Sequence, residues 1–401
     1  MSILVQKYGG SSLSDLDRLE KVADKVVAAR ERGHRMVVVV SAMGDSTDEL
    51  LEMARELAGS PSRRELDMLL SVGERIAMAL LSIAIQERGH EAVSLTGSQC
   101  GIITTHNHSN ARIMDVRPFR VQDELAMNKI VIVAGYQGTS YRREVTTLGR
   151  GGSDTTAVAL AAALDAEACE IYSDVEGVYS ADPRVVLSAR QLLELSHEEM
   201  LEMARSGARV LNEQAVEFAR RSEIALYARK AHGSTTDGTV VRPDGFMERA
   251  ERAERGLPAV SVSHIESGLW IEAQASADRL IEALEERPCV SCSWSPGESA
   301  RVFLSRENLH DEEEFCETLR GLGDDLVIER AGLVSAVGDG IGTVPRWVHR
   351  GRSALQSEGI TPMGIDVSRA RLSWVVPTKQ VEAAARTLHS EFVELSEPDD
   401  S

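Results

Sequence analysis

Six short apolar runs, separated by stretches with helical periodicity, constrain the fold of the first 230 residues more than any other feature. Between the runs, apolar side chains recur at spacings of three and four residues, as they do over residues 16–27 and 66–83. Strands that alternate with helices in this way are typical of a parallel sheet covered by helices. The predicted strands are residues 3–5, 36–40, 92–95, 130–134, 169–172 and 224–227.

The chain changes character after about residue 231. Residues 232–257 are polar and rich in Gly, Pro, Arg and Glu, so a domain boundary is expected there. The remainder holds two shorter strand and helix patterns of similar size, which suggests an internal duplication. We therefore expect one α/β domain over residues 1–245, followed by two small α+β modules over residues 258–328 and 329–395.

The charge balance argues against nucleic acid and membrane partners. The 401 residues include 44 Lys and Arg against 63 Asp and Glu, a net charge of −19. Such a surface repels phosphate backbones and anionic lipid headgroups. No apolar run approaches the roughly 20 residues of a membrane span, and the N-terminus lacks the layout of a signal peptide. We expect a cytoplasmic protein.

The five cysteines predict neither a disulfide framework nor a metal site. They are odd in number and scattered over a long chain. Cys289 and Cys292 have the spacing of half a zinc site or of a redox pair, but the sequence lacks a matching second Cys or His pair. We expect packed or idle thiols and no metal held by the protein itself.

A glycine-rich segment follows the first predicted strand, at the sheet edge where ligands of open α/β folds bind. In residues 7–12, Lys7 precedes Gly9 and Gly10, so the backbone can approach an anion beside a positive charge. It is not a Walker A loop, in which the lysine follows the glycines. Taken alone, an ordinary turn with a solvated lysine explains it equally well.

A second glycine-rich segment, residues 149–156, leads into an Ala-rich helical stretch. Glycines and one cation, Arg150, at the start of a helix make an anion-binding arrangement. A simple helix cap by Ser153 or Asp154 would leave three glycines and the arginine unexplained.

Three further segments carry candidate ligands. Residues 41–47 are small and hydroxylated, although a helix cap at Ser46 or Thr47 is the plainer explanation. Residues 173–184 combine acceptors, an aromatic ring and an arginine in one long turn, which suits a nucleotide better than a simple connection. Glu74 is followed by Arg75 in a helical stretch, where such a Glu-Arg pair usually faces the solvent.

In this order and spacing, the segments resemble the aspartate kinases of the amino-acid-kinase family. Residues 7–12, 149–154 and 173–184 are the most specific matches, and the similarity extends over residues 1 to about 230. It continues more loosely in the C-terminal part, where the family carries a pair of ACT modules. The resemblance implies a three-layer α/β domain with a mainly parallel central sheet, followed by two ferredoxin-like α+β ACT modules.

The resemblance also implies a reaction, the transfer of a phosphoryl group from ATP with Mg²⁺ to the side-chain carboxylate of L-aspartate. Its product would be 4-phospho-L-aspartate, the first intermediate of aspartate-family amino-acid biosynthesis. The acceptor carboxylate is already ionised near neutral pH and needs no general base. The task of such an enzyme is to overcome repulsion between two anions with positive charge and alignment. A family kinase with another acceptor fits residues 41–47 and Glu74 less well.

Roles for individual residues follow from the same resemblance. Lys7 would stabilise the transferring phosphoryl group, and Asp154 would orient that lysine. Arg150 would bind the α-carboxylate of the substrate as a bidentate fork, and Glu74 would accept from its ammonium. The residues that would complete the amino-acid site are Ser41, Thr47 and Ser153. The implied ATP site is Lys7, Gly9, Gly10, Ser173, Asp174, Tyr179, Arg184 and Arg209.

One residue of the kinase part departs from the family pattern. Arg209 stands where the family usually has a lysine, so the charge is kept but a planar fork replaces a point charge. We expect a changed affinity for ATP and retained activity. The alternative is a catalytically weak homologue that serves as a regulatory or binding subunit.

The ACT modules depart from the pattern where the family holds an end-product amino acid, at backbone groups of the loop between the first strand and the first helix. Residues 271–278 contain neither Gly nor Pro, and Val-Pro-Arg at residues 344–346 stands where His-Pro-Gly is common. We expect weak or absent feedback inhibition by lysine or threonine. By analogy with the family, the modules would join copies of the chain into a homo-oligomer.

Overall fold

A computed structural model of the chain describes residues 1–233, 237–243, 257–285, 287, 289–309 and 312–394. Its contacts divide it into two compact units. Within the described residues, the first comprises Met1–Val178, Gln191–Met200 and Arg209–Phe246, and the second comprises Tyr179–Arg190, Leu201–Ala208 and Met247–Ser401. Most of the predicted boundary 232–257, and residue 395 at the end of the predicted second module, lie outside the described residues.

The first unit is built on an eight-stranded sheet with the spatial order β12-β14-β13-β9-β1-β2-β6-β3. Only the β13–β14 pair is antiparallel in the described sheet. Each of the six predicted runs overlaps one of these strands, which confirms the mainly parallel sheet. The strands up to residue 242 are β1 (Ile3–Tyr8), β2 (Arg35–Val40), β3 (Ala92–Leu95), β4 (Ile102–Thr104), β5 (Ile113–Val116), β6 (Ile130–Ala134), β7 (Gln137–Ser140), β8 (Val145–Thr147), β9 (Ala168–Ser173), β10 (Val178–Tyr179), β11 (Gln191–Leu192), β12 (Glu194–Ser196), β13 (Ala225–Lys230) and β14 (Thr239–Arg242).

Helices cover both faces of this sheet and complete three layers. The helices up to residue 221 are α1 (Leu16–Glu31), α2 (Ser46–Leu57), α3 (Arg63–Leu70), α4 (Val72–Glu87), α5 (Phe119–Ala126), α6 (Gly152–Ala163), α7 (His197–Arg205) and α8 (Glu213–Arg221). On one face, α1 and α4 pack over alternate strand residues such as Leu4, Val38 and Ile132. On the other face, α6 packs against β1, β2 and β9. The central strand β1 is therefore covered on both sides.

A second, four-stranded sheet of the first unit has the order β5-β4-β7-β8. The sequence did not predict it, because its strands are three or four residues long and carry polar residues such as Thr104, Gln137 and Thr147. Its strand β8 ends where the glycine-rich segment 149–156 begins. This sheet therefore supports one of the candidate ligand loops.

Helices α3 and α4 lie within one 25-residue helical stretch, Arg63–Glu87, which by length and composition alone could cross a membrane. Half of its most apolar window is buried inside the protein. Ala77, Leu81 and Ile85 pack in the same apolar cluster as α1 and the strands of the large sheet. A core helix passes the same test of length and composition, and this packing accounts for the apolar character of the stretch.

The second unit contains a six-stranded sheet with the order β16-β17-β15-β18-β20-β19, in which every pair is antiparallel. Its helices and strands form the two predicted ferredoxin-like modules, side by side in one sheet. The strands are β15 (Ser261–Ala273), β16 (Ser291–Ser295), β17 (Ser299–Ser305), β18 (Val327–Val337), β19 (Gly364–Ser368) and β20 (Arg371–Pro377). The helices are α9 (Ala277–Ala283), α10 (Glu312–Arg320), α11 (Pro345–Ser357) and α12 (Val381–Phe392).

The long strand β15 serves both modules. Before an irregularity in its pairing with β18, Val262 packs in a cluster with residues of α11 and α12. After it, Leu269 and Ile271 pack with residues of α9 and α10. One strand thus carries two separate apolar cores.

All five cysteines carry free thiols. Cys100, Cys169 and Cys316 are buried, and burial raises the pKa of each thiol. Cys289 and Cys292 are exposed. Three of the five thiols are therefore packed, as expected for cysteines without a redox role.

The α11 and α12 module leaves no room for a side chain at Gly351. A Cβ atom there would lie 2.3 Å from Cζ2 of Trp374 and 3.0 Å from Cε2 of Phe392, both of which are fully buried. We expect Gly351→Ala to destabilise the second unit by about 2 kcal/mol, since overpacked cores cannot relax freely. All four tryptophans lie in this unit, so denaturation followed by tryptophan fluorescence measures the effect.

Ser353→Ala provides the matched control, because Ser353 lies in the same helix and is exposed. Its fluorescence transition should coincide with that of the parent. A Gly351→Ala transition that also coincides with the parent would contradict the packing described for Trp374.

Candidate active site

The carboxyl ends of the central strands bring a lysine and a carboxylate together in the first unit. Lys7 is the penultimate residue of β1, and its register partners are Val39 of β2 and Ile171 of β9. Its Nζ atom lies 2.6 Å from Oδ1 of Asp154, and the two side chains are only 11% and 12% exposed. Charges so far removed from water must be matched, so each group fixes the position of the other.

The turn after β1 leaves no room for a side chain at Gly10, whereas the space at Gly9 is less confined. The Gly9 amide donates to the Tyr172 carbonyl at 3.1 Å, and a Cβ atom at Gly9 would lie 3.5 Å from Nζ of Lys7. A Cβ atom at Gly10 would lie 2.9 Å from the carbonyl oxygen of Ala42 in the segment after β2. The backbone of this turn can therefore approach a phosphate beside the lysine.

The second glycine-rich turn opens helix α6. Gly149 and Gly151 have φ angles of +76° and +69°, a region that favours glycine, and α6 begins at Gly152. No described side chain caps this helix, and the Gly152 amide donates to the Gly149 carbonyl at 3.0 Å, so the later amides of the first turn can receive an anionic ligand. The Arg150 side chain is exposed and forms no ion pair within the described part of the chain, while its carbonyl accepts from Nδ2 of Asn212 at 3.1 Å.

The residue after this turn, Ser153, is buried against the end of β6. A Cβ atom at Gly135 would lie 2.7 Å from Oγ of Ser153 and 2.9 Å from the carbonyl oxygen of Val40. The start of α6 therefore lies directly against the ends of β2 and β6.

Glu74 in α4 is a buried carboxylate with one oxygen unsatisfied. Its side chain is among the buried groups at 3% exposure, and Oε1 accepts from the Ala42 amide at 3.1 Å. Within the described residues, Oε2 has no hydrogen-bond partner. Burial raises the pKa of Glu74 to about 7. Such a group can receive a cationic ligand.

Two of the three hydroxyl residues predicted for the amino-acid site lie on or next to the segment that Glu74 binds. Ser41 directly precedes Ala42 and is half-buried. Thr47 is half-buried in the first turn of α2. Ser41 is therefore adjacent in the chain to the amide bound by Glu74, and Thr47 begins the next helix.

The predicted nucleotide residues are distributed over both units. Besides Lys7, Gly9 and Gly10, those of the first unit are Ser173, Asp174 and Arg209, of which Ser173 is half-buried and the other two are exposed. Tyr179 and Arg184 belong to the second unit. Arg184 is bound through Nε and Nη2 to the Asp182 carboxylate, with Nη2 2.7 Å from Oδ2. The role of these residues toward ATP remains a prediction.

Two residues near the site were missed by sequence reasoning. Tyr136 has a φ angle of +65°, which is strained for a residue with a side chain, and a Cβ atom at Gly152 would lie 3.0 Å from its ring. Burial raises the pKa of Tyr136, and its hydroxyl is hydrogen-bonded to Thr147. Asp67 in α3 is fully buried. The position of Tyr136 two residues after β6 was the available signal, since ligands bind at strand ends.

A buried polar network holds the opposite face of β1. Oε2 of Glu170 accepts from Nε2 of Gln6 at 2.7 Å, and Oε1 lies 2.6 Å from Nη1 of Arg229. The Tyr172 hydroxyl also donates to Glu170, and burial raises the pKa of Tyr172 to about 12. These bonds join β1, β9 and β13 beneath the strand end that presents Lys7.

Comparison with known proteins agrees with this geometry. Residues 2–228 match the model of the amino acid kinase family. The chain is 42% identical to an aspartokinase of Mycolicibacterium smegmatis, with 98% of this chain and 96% of the relative covered. It is 41% identical to an aspartokinase of Geobacillus stearothermophilus, with 98% and 97% covered.

Solved structures show the same fold. The crystal structure of E. coli aspartokinase III in complex with aspartate and ADP superimposes with a TM-score of 0.83 at 23% identity, and covers 97% of this chain and 99% of that one. The family match, the near full-length similarity and the fold lead to one conclusion. The chain belongs to the amino acid kinase family and, within it, to the aspartokinases.

Proposed function

We propose that this aspartokinase transfers the γ-phosphoryl group of MgATP to the side-chain carboxylate of L-aspartate, giving 4-phospho-L-aspartate. The observation that carries the proposal is the buried Lys7–Asp154 pair at the edge of the sheet. Lys7 lies just before one glycine-rich turn, and Asp154 lies just after the other. A fixed ammonium group beside open backbone amides stabilises charge that develops on a transferring phosphoryl group.

The acceptor is activated by position rather than by a base. Its carboxylate is ionised near neutral pH, so the barrier is repulsion between two anions. Lys7 reduces that repulsion, and Asp154 keeps the lysine in place. The Mg²⁺ ion arrives with ATP and is held chiefly by phosphate oxygens. Among the described residues, no group of three or more His, Cys, Asp or Glu could hold a metal.

The amino-acid end of the site uses two groups that lack a partner in the described protein. Oε2 of Glu74 accepts from the substrate ammonium, and the guanidinium of Arg150 binds its α-carboxylate in a bidentate manner. The hydroxyls of Ser41, Thr47 and Ser153 complete the site. An acceptor without an ammonium would leave the buried Glu74 unpaired, which favours an amino acid.

Lys7→Met tests the catalytic assignment. We expect kcat to fall by at least about a hundredfold, the scale for losing one preorganised charge near a developing oxyanion. Methionine fills most of the lysine volume but leaves the buried Asp154 without its partner, so a thermal unfolding curve must show that the variant is folded before its rate is compared. Incubation with MgATP, L-aspartate and hydroxylamine, followed by measurement of aspartyl hydroxamate, gives the rate. Lys21→Met, at an exposed position of α1, is the control and should keep full activity. A folded Lys7→Met variant with kcat within threefold of the parent would refute the assignment.

Glu74→Gln and Arg150→Ala test the division of the site. Both should raise the KM for aspartate about tenfold or more, because each removes a charged partner of the amino acid. The KM for ATP should change by less than about twofold. If both constants rise equally, or if only ATP weakens, the loop with Arg150 belongs chiefly to the nucleotide.

The pKa of Glu74 predicts how aspartate binding depends on pH. With a pKa of about 7, only about one-tenth of the carboxyl groups are ionised at pH 6, and the protonated form cannot pair with an ammonium. The KM for aspartate should therefore be about tenfold higher at pH 6 than at pH 8. Glu74→Gln should lose this dependence. A parent enzyme whose KM stays constant over that range would contradict the role of Glu74.

We also propose that the ACT modules respond weakly to end-product amino acids. In the loop between β15 and α9, Oδ2 of Asp325 accepts from the amides of Gln274 and Ser276 at 2.8 and 3.1 Å. Its Oδ1 accepts from the Ser276 hydroxyl at 2.6 Å. These bonds lower the pKa of Asp325 to about 2, so it is ionised at neutral pH. A carboxylate of the chain itself thus occupies donors that an effector carboxylate would require.

Lysine and threonine, singly and together, should inhibit hydroxamate formation by less than half at about 1 mM. A ligand shifts the equilibrium between an active and an inhibited state only by the difference in its affinity for the two states. Few donors remain in this loop to provide such a difference. Asp325→Ala frees the loop amides and is the matched variant. More than half inhibition of the parent below about 1 mM would show a working effector site and contradict the proposal.

A homo-oligomer formed through the ACT modules is supported by the edges of the six-stranded sheet. Edge strands β16 and β19 carry the exposed apolar side chains Trp294, Ile365 and Val367. Unpaired strand edges with apolar neighbours favour addition of a second copy. The acidic balance of −19 supports a cytoplasmic enzyme without nucleic acid or membrane partners.

A further inference from the structure

A buried carboxylate outside the groups assigned above, Asp67, lies seven residues before Glu74 in the chain. Asp67 in α3 is completely buried. Its Oδ1 accepts from the Thr147 hydroxyl at 2.6 Å and from the Ser109 amide at 3.0 Å. Its Oδ2 lies 2.6 Å from Nδ1 of His108, which donates to it. A charge buried this deeply is costly, and here three donors from two distant segments offset that cost.

The segments bound by Asp67 are those that flank the arginine turn. Thr147 ends β8, two residues before Gly149. Ser109 precedes Asn110, whose Oδ1 would lie 3.0 Å from a Cβ atom at Gly149. The Ala111 amide also donates to the Thr147 carbonyl at 2.9 Å. The start of the turn that carries Arg150 is therefore held on both sides by groups that Asp67 fixes.

The same carboxylate is also close in the chain to Glu74. The Ser71 amide donates to the Asp67 carbonyl at 3.1 Å where α3 passes into α4, the helix that carries Glu74. From β7, Nε2 of Gln137 donates to the Ser71 carbonyl at 2.9 Å. Gln137 is the register partner of Thr147 in β8. One compact set of bonds thus connects the helix of Glu74 to the strand that leads to Arg150.

We propose that Asp67 and His108 are positioning residues that set the spacing between Glu74 and Arg150 to that of the ammonium and the α-carboxylate of an α-amino acid. The inference rests on the proposed function, because it assumes that these two groups bind the ammonium and the α-carboxylate. Asp67 anchors the arginine turn through Thr147 and Ser109. His108 donates a hydrogen bond to Oδ2 of Asp67 and so fixes the orientation of the carboxylate. Neither side chain contacts the substrate.

The variants are chosen to loosen the anchor without opening a large cavity. Thr147→Val removes only the hydroxyl that donates to Asp67, and Asp67→Asn removes the charge at nearly constant volume. His108→Ala removes the ring donor, whereas His108→Asn places a side-chain N–H where Nδ1 of the ring stood. Glu124→Gln is the control, since Glu124 is a buried carboxylate of α5 paired with Lys129 at 2.8 Å and makes none of these bonds.

The hydroxamate assay with L-aspartate and MgATP provides the first measurement. Thr147→Val, Asp67→Asn and His108→Ala should each raise the KM for aspartate about tenfold and change the KM for ATP by less than about twofold, because a small displacement of a positioning group weakens a bidentate contact. His108→Asn should restore most of the affinity. Glu124→Gln should change neither constant.

Hydrogen exchange of the amides of residues 147–152 is the second measurement and does not depend on activity. Exchange there should be faster in the three loosening variants and unchanged in His108→Asn and Glu124→Gln. Equal rises in both KM values, or unchanged exchange at residues 147–152, would overturn the positioning role. A folded parent that forms no hydroxamate with aspartate would contradict the proposed function instead, and the exchange result would still decide whether Asp67 anchors the turn.

Discussion

The pairing of Lys7 with Asp154 is the constraint on which the rest of the site depends. A lysine that is nearly nine-tenths buried requires a charged partner, and Asp154 in the first turn of α6 supplies it. In the same turn of α6, the residue before Asp154, Ser153, lies in close contact with Gly135 at the end of β6.

Around this ion pair, the described part of the protein leaves two charged groups without an opposite charge of its own. Glu74 keeps a buried oxygen without a partner in the described structure, and Arg150 has no ion pair there. Asp67 and Asp325 are the opposite case, because the chain supplies all the donors that surround them. Glu74 and Arg150 are therefore available to bind a ligand, whereas Asp67 and Asp325 stabilise the structure around them. Burial alone would not distinguish the two kinds of carboxylate.

Much of the fold could be predicted from the sequence, because the central strands are buried on both faces and are therefore continuously apolar. The four-stranded sheet could not, since its short polar strands are defined by pairing rather than by composition. For the site, glycines and charges next to strands indicated the segments of Lys7 and Arg150, whereas the role predicted for Asp154 came from the family resemblance. Asp67 and Asp325 were missed because their bonds join residues that lie far apart in sequence. Sequence periodicity carries no signal for such contacts.

The Lys7–Asp154 pair acts on the phosphoryl group during its transfer more than on the binding of either substrate. A single-turnover experiment on the Asp154→Asn variant, with MgATP and aspartate at saturating concentrations, separates transfer from binding. We expect phosphoryl transfer to slow by about a hundredfold, while the equilibrium affinities for ATP and aspartate stay close to those of the parent. An unchanged transfer rate with weakened binding of ATP would contradict it.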